Sequence, residues 1–116
     1  MTEKNNSSTS VCNMPLEPDY SSVTIVDLKP VPSPVDYRIA MDIANGEADR
    51  RLGEMQYMLL SWYDGDRDLE SPQGARECHS NSAIPGYVDY ALYRNATLKV
   101  DIEQGRFVFF YLPIDL

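Results

Sequence analysis

The C-terminal part of the chain, residues 87–112, most constrains what this protein can fold into. Its sequence, YVDYALYRNATLKVDIEQGRFVFFYL, contains strand-forming segments separated by two groups of turn-forming residues. Residues 97–102 alternate polar and apolar side chains, as in a strand with one wet face, whereas residues 106–112 are apolar on both sides, as in a central strand. The pattern predicts a C-terminal three-stranded meander formed by residues 87–93, 97–102 and 106–112.

The first segment of this meander has an alternative. Tyr87, Tyr90 and Tyr93 recur at intervals of three residues behind Pro85, which is also the spacing of one side of a helix. A helix over residues 87–93 is therefore the alternative to a strand.

A helix is predicted at residues 34–45. Ser33 is a suitable N-cap, and Pro34 suits the first helical turn because its φ is fixed and it has no N–H donor. Asn45 and the glycine after it supply an end signal. Apolar residues at four-residue spacing predict one buried stripe, formed by Val35, Ile39 and Ile43. A strand over residues 37–43 is the alternative.

Two more strands are predicted upstream of the meander. Residues 22–29 and 54–62 are apolar on both sides, which is typical of strands covered on both faces. For the second segment, a helix over residues 48–62 is the alternative, because Met and Leu are good helix formers. We therefore expect a single small α+β domain with an antiparallel sheet of four to five strands and one main helix.

The domain is predicted to span residues 21–116. The polar residues 1–20 predict a disordered or loosely packed N-terminal tail, with packing of Met14, Leu16 and Tyr20 onto the body or a partner as the alternative. Residues 64–86 are rich in Gly, Pro and Ser and predict a long loop.

The charge of the chain excludes two classes of partner. Its 116 residues include 18 Asp and Glu against 10 Lys and Arg, a net charge of −8, and the basic residues form no cluster. Because nucleic acids and anionic membrane surfaces are bound mainly through Lys and Arg, we expect direct binding to neither. The charge instead favours a basic protein partner. The sequence shows no apolar leader, no membrane-spanning run and no cysteine framework, so we expect a cytoplasmic protein.

Two groups of residues resemble metal-binding or catalytic motifs and fail as such. A calcium-binding loop that begins at Asp64 needs Gly at its sixth position and an acidic residue at its twelfth, where the chain has Leu69 and Ala75. Cys78 and His79 are adjacent, so their side chains point apart in an extended chain. The six glycines form no phosphate-binding loop. We predict no catalytic, cofactor or metal site, and a non-catalytic function is preferred.

Aromatic residues supply the one positive indication of function. The chain has eight tyrosines and one tryptophan, residue types that provide large contact areas at protein interfaces. One helix can cover only one side of the sheet, so the other side needs the tail, a second copy of the chain or another protein. The sequence therefore predicts a partner-binding aromatic sheet face with an acidic rim. Its residues are Tyr63, Asp64, Asp66, Asp68, Glu70, Tyr87, Tyr90 and Tyr93.

We therefore predict a small acidic protein that acts by binding another protein, as inhibitors, immunity proteins and accessory factors do. A homodimer is an open alternative. Two other functions stay open: a small-ligand-binding protein or small enzyme that uses the 64–86 loop, and an inhibitor that mimics nucleic acid.

Overall fold

Two helices and five strands make up the part of the chain that the structure describes. The computed structural model describes residues 17–53, 56–73 and 84–114. The elements in chain order are β1 (Thr24–Leu28), α1 (Tyr37–Leu52), β2 (Gln56–Asp64), β3 (Leu69–Ser71), α2 (Gly86–Tyr93), β4 (Leu98–Ile102) and β5 (Phe107–Ile114).

The strands form one mixed sheet in the order β1-β4-β5-β2-β3. β1 runs parallel to β4, and the other neighbouring pairs are antiparallel. The predicted α+β class is confirmed, but the prediction of a wholly antiparallel sheet is wrong. The reason is that a long crossover separates β1 from β4, so the chain returns to the end at which β1 began before β4 starts.

The prediction of a first meander strand at residues 87–93 is wrong, because residues 86–93 form the helix α2, as in the alternative. Val88 and Ala91 are buried on one side of this helix, and Tyr93 is exposed on another. A helix is favoured here because it covers apolar side chains of β2 and β5, which a further strand at the sheet edge would leave in water. The prediction of one main helix is corrected to two helices for the same reason.

The boundaries of α1 differ from the predicted 34–45. The helix is capped by Asp36, whose side chain accepts hydrogen bonds from the backbone N–H groups of Arg38 and Ile39. It continues through Gly46 and ends before Gly53, which has a φ of 62°. A side-chain acceptor at Asp36 satisfies the first free N–H groups directly, so the helix starts there and not at Ser33.

The buried side of α1 keeps only Ile43 of the predicted stripe, which packs partly buried against the core. Ala40, Ala44 and Ala48 are fully buried against the sheet, whereas Val35 is 79% exposed and Ile39 is 43% exposed. Alanines at four-residue spacing allow the helix axis to approach the sheet closely, so small residues form the contact.

A β-bulge in β2 changes which side chains share a face. The pairing of β2 with β5 shifts between Leu59 and Ser61. As a result Leu59 and Trp62 pack towards α1, while Leu60 and Tyr63 pack towards α2. Simple alternation places Leu59 with Tyr63 and Leu60 with Trp62, and this is wrong because the extra residue of the bulge reverses the alternation.

The sheet separates two clusters of buried side chains. The α1 face, which α1 covers, includes Val100, Phe109 and Tyr111. The α2 face, which α2 covers together with Tyr20, includes Phe110. The prediction that this face needs the tail, a second copy of the chain or another protein as its cover is corrected, since α2 covers it and, from the predicted tail, Tyr20 packs there as well.

Parts of the predicted tail and loop also have defined positions. Tyr20 stacks on Phe110, with 6.4 Å between ring centroids. The predicted 64–86 loop is interrupted by β3, which pairs with β2. Met14, Leu16 and residues 74–83, including Cys78 and His79, lie outside the described residues. Neither helix that the structure describes is long and apolar enough to cross a membrane.

Candidate functional site

Asp64, predicted as part of the acidic rim, is a structural residue of the β2–β3 turn. It is 1% exposed and accepts hydrogen bonds from the Asp66 backbone N–H and from Nε of Arg67. The next residue, Gly65, donates its N–H to the Arg106 carbonyl oxygen at 2.6 Å. A Cβ at Gly65 would lie 2.5 Å from that oxygen, so only glycine fits this close approach.

Asp66 is held by an ion-pair network at the same end of the sheet. Arg106 donates two hydrogen bonds to its carboxylate, at 2.8 and 2.7 Å, and a third to Glu103 at 2.7 Å. The hydrogen bond from Arg106 lowers the pKa of Asp66, and hydrogen bonds from Ser33 and Arg106 lower the pKa of Glu103. The network therefore links Arg106 to the segments that contain Ser33, Asp66 and Glu103. It leaves the Asp66 and Glu103 carboxylates less available to a partner.

Four of the predicted site residues do come together on the α2 face. Tyr63 and Tyr87 stack with 5.1 Å between centroids and an angle of 10° between rings. The Tyr63 hydroxyl donates to Asp68 Oδ1 at 2.7 Å, which raises the pKa of Tyr63. Glu70 lies opposite Tyr63 in the ladder. Burial raises the pKa of Tyr87. The Tyr63–Tyr87 stack is therefore a packed contact within the fold, with the acidic residues Asp68 and Glu70 next to Tyr63.

Tyr90 and Tyr93 lie on the outer side of α2. The guanidinium of Arg94 sits over the Tyr90 ring at 3.7 Å from its centroid. Tyr93 is 70% exposed and is one of the few large apolar side chains exposed in the part of the chain that the structure describes. The predicted eight-residue surface is therefore divided into a turn with buried Asp64 and paired Asp66, a packed Tyr63–Tyr87 stack, and a helix ridge of half-buried Tyr90 and exposed Tyr93.

A pocket opens beside Tyr93 and was not predicted from the sequence. It has a volume of about 540 Å³ and lies between residues 18–23, the second half of α2 and residues 95–97. Ile84, at the end of the predicted 64–86 loop, forms part of its wall. The volume falls within the range of known small-molecule pockets, about 300–1,000 Å³.

Two carboxylates belong to this pocket. Asp89 is 2% exposed and lines the wall, and Asp19 is exposed at the entrance. Asp19 accepts a hydrogen bond from the Ser21 N–H at 3.0 Å, which lowers the pKa of Asp19. No Lys, Arg or His occurs among the described residues that line the pocket.

One sequence signal for this pocket was available. Asp89 is the only charged residue in the apolar segment GYVDYALY, which suggests a special position for it. The other wall residues come from distant parts of the chain, so spacing along the sequence gave no indication of them. Within the described ranges no group of three His, Cys, Asp or Glu side chains is placed to hold a metal ion.

Comparison with known proteins gives a family and a fold. Residues 23–111 match a protein family described as a domain of unknown function (DUF5619). The crystal structure of a novel protein from Archeoglobus fulgidus DSM 4304 is similar, with a TM-score of 0.62 and 20% identity over 80% of this chain and 96% of that chain. At this identity the similarity shows a shared fold alone. No curated protein matches the chain.

Proposed function

The chain belongs to this family of domains of unknown function, DUF5619, and we propose that it is a non-catalytic protein that binds a basic partner protein. The observation that carries this proposal is the exposed Tyr93 beside a pocket with two carboxylates. Exposed aromatic residues next to a concave surface are typical hot spots of protein interfaces. The docking surface that we propose is the outer ridge of α2, Tyr90 and Tyr93, together with this pocket.

The charge of the chain supports a basic partner. The net charge is −8, and Asp19 adds an exposed carboxylate to the lining of the pocket. Such a surface attracts positively charged partners and repels acidic ones. A nucleic-acid mimic has less support, because Glu47, Asp64, Asp66 and Glu103 pair with arginines of the same chain.

Capture from the native host tests this function. We would use the full chain as bait, in wild-type form and with Tyr93→Ala, and identify bound proteins by mass spectrometry. Val35→Ala is the matched control, because Val35 is also a highly exposed apolar side chain and does not line the pocket. We expect the wild type and the control to retain a common basic protein that the Tyr93 variant loses.

The captured partner would then be purified and its affinity measured. A hot-spot tyrosine contributes about 2 kcal/mol or more, so Tyr93→Ala is expected to weaken binding at least tenfold. Equal affinity of the wild type and the Tyr93 variant would refute the proposed surface.

A second candidate function is binding of a small ligand in the same pocket. The observation that favours it is the pocket volume of about 540 Å³. A thermal-shift screen of metabolites with the full chain tests it. A compound that raises the melting temperature of the wild type, but not of a variant with Leu92→Arg in the wall, would favour this function over protein docking.

A further inference from the structure

β1 is an edge strand of the sheet, with backbone groups on its outer side that no neighbouring strand binds. The Thr24 N–H donates to the residue before β4, and the Leu28 carbonyl oxygen accepts from the residue after it, at 2.8 and 2.9 Å. Because backbone groups alternate in direction along a strand, those of Ile25 and Asp27 point away from β4, where the described part of the chain has no further strand. An open strand edge of this kind is a template for pairing with another chain.

The side chains along this edge are accessible as well. Val26 is buried towards α1, so its neighbours Ile25 and Asp27 project to the α2 side of the sheet. Ile25 is 42% exposed. Asp27 is exposed, and its carboxylate makes no hydrogen bond or ion pair with the residues that the structure describes.

An extended segment with a basic residue fits this edge. Asp27 supplies an accessible carboxylate on a chain with a net charge of −8, and it pairs with neither lysine near it. Lys99 lies 4.0 Å from Asp101, and Lys29 lies beyond the end of β1. A strand that pairs with β1 can place an apolar side chain beside Ile25 and a basic one beside Asp27.

A second copy of this chain fits the edge less well. If two β1 strands pair antiparallel about Val26, each Asp27 lies opposite Ile25 of the copy and meets no base. If they pair about Asp27, the two carboxylates oppose each other, which is destabilising. Two chains of net charge −8 also repel each other.

The open edge leads into the docking surface proposed above, because Val23, directly before β1, lines the pocket beside Tyr93. We propose that an extended segment of the basic partner protein pairs antiparallel with β1 and continues past Val23 into this pocket. An apolar residue of the segment lies beside Ile25 and a Lys or Arg lies beside Asp27. The proposal rests on the function proposed above and names the form in which the partner is recognised.

A strand-forming peptide tests the proposal without the partner. Acetyl-TKVVT-amide, paired antiparallel with β1, places its lysine beside Asp27 and its second valine beside Ile25. It would be added in millimolar amounts to the isotope-labelled full chain and followed by two-dimensional NMR and amide hydrogen exchange. We expect weak, saturable shifts centred on β1, and slower exchange of the Ile25 and Asp27 N–H groups, because they gain carbonyl acceptors.

Two doubly N-methylated peptides are the matched controls. Methyl groups on the lysine and the second valine block the N–H donors that face β1, and they should abolish binding. Methyl groups on the first valine and the last threonine block donors that face away, and they should leave binding unchanged. Equal binding of the two methylated peptides, or shifts centred outside β1, would overturn the proposal.

Charge variants test the choice of a basic segment. Asp27→Asn should weaken binding of the peptide about two- to fivefold, the range for an exposed ion pair. Asp42→Asn removes the same charge from an exposed position on α1 and should leave the affinity unchanged. Equal binding of a peptide with glutamate in place of its lysine would refute the basic segment. If light scattering shows a dimer of the free chain in which the Ile25 and Asp27 amides are already protected, a second copy occupies the edge and the proposal is wrong.

The two proposals can fail separately. Ile25→Pro removes an N–H donor that points out of the sheet, a position at which edge strands accept proline, and it should abolish peptide binding and weaken binding of the captured partner. If the partner is lost with Tyr93→Ala but binds Ile25→Pro and the wild type equally, the docking function stands and the strand addition is refuted. If Tyr93→Ala leaves partner binding intact, the proposed docking function fails, and the peptide titration decides the strand addition by itself.

Discussion

The two faces of the sheet are closed in different ways. The α1 face is covered by a 16-residue helix whose alanines are fully buried, and the Tyr111 hydroxyl on this face donates to Asn45 Oδ1 at 2.6 Å. The α2 face is covered by an eight-residue helix and Tyr20, through stacked aromatic rings. A short helix covers less of the sheet, and a pocket is present beside its second half. The comparison indicates one face closed by the close packing of a long helix and one face that leaves a pocket beside a short helix.

The largest expected effect comes from two neighbouring phenylalanines on opposite faces. Phe109 lies on the α1 face and Phe110 on the α2 face, and both are fully buried. Replacing either by Ala should lower the free energy of unfolding by about 3–5 kcal/mol, measured by urea denaturation. The Phe→Leu variants are milder and should leave the chain folded, so their effects on binding can be compared between the two faces.

For these Leu variants, binding of the partner protein captured from the native host is the second measurement. Phe110→Leu removes the ring that contacts Tyr20 and Tyr87, and should therefore weaken binding. Phe109 lies on the α1 face, so Phe109→Leu should leave binding unchanged. Equal loss in both variants would show that the two faces are not independent.

A second pair of substitutions compares the hydroxyl groups of two tyrosines. Tyr111→Phe removes a buried hydrogen bond to Asn45 and should cost about 1–2 kcal/mol of unfolding free energy. The Tyr87 hydroxyl makes no hydrogen bond with the described residues, so Tyr87→Phe should be nearly neutral. Thermal and urea unfolding of both variants would check this, and equal costs would contradict the assignment of a stabilising hydrogen bond to the Tyr111 hydroxyl alone.

Lowering the pH should reduce the stabilisation that Glu47 gives to α1. Arg51 and Arg50 pair with its carboxylate and lower the pKa of Glu47 below 4.5. A lowered folded-state pKa gives stability that is present above the unfolded value and is lost as pH falls through the folded one. Glu47→Gln should therefore cost about 0.5 kcal/mol at neutral pH and less at about pH 3. Urea titrations at both pH values would test this, with Asp42→Asn as the control.

The smallest expected effect is that of Tyr93→Ala on stability. Because Tyr93 is 70% exposed, its removal should change the free energy of unfolding by less than about 0.5 kcal/mol. This small change is what allows the variant to report on binding. A loss of 2 kcal/mol or more, measured by denaturation, would mean that Tyr93 holds α2 in place and is not a free contact residue.

Local patterns predicted most strands and one helix. Residues 22–29, 54–62, 97–102 and 106–112 each overlap a strand, because alternation and β-branched or aromatic content report local burial. The partner-binding surface predicted from composition stays a prediction. Its eight residues do not form one continuous surface, since Asp64 is buried and Asp66 is paired with an arginine forty positions away in sequence.

The sequence by itself determined the fold class, the strongly negative charge and the central position of residues 106–112, since these depend on composition and short-range spacing. Only the tertiary structure decided three other features. Residues 87–93 became a helix because the α2 face needed a cover, and the bulge in β2 placed Trp62 on the face of Leu59 and Tyr63 on the face of Leu60. Asp19 and Asp89 came to share a pocket. Each depends on contacts between segments far apart in the chain, which no local pattern contains.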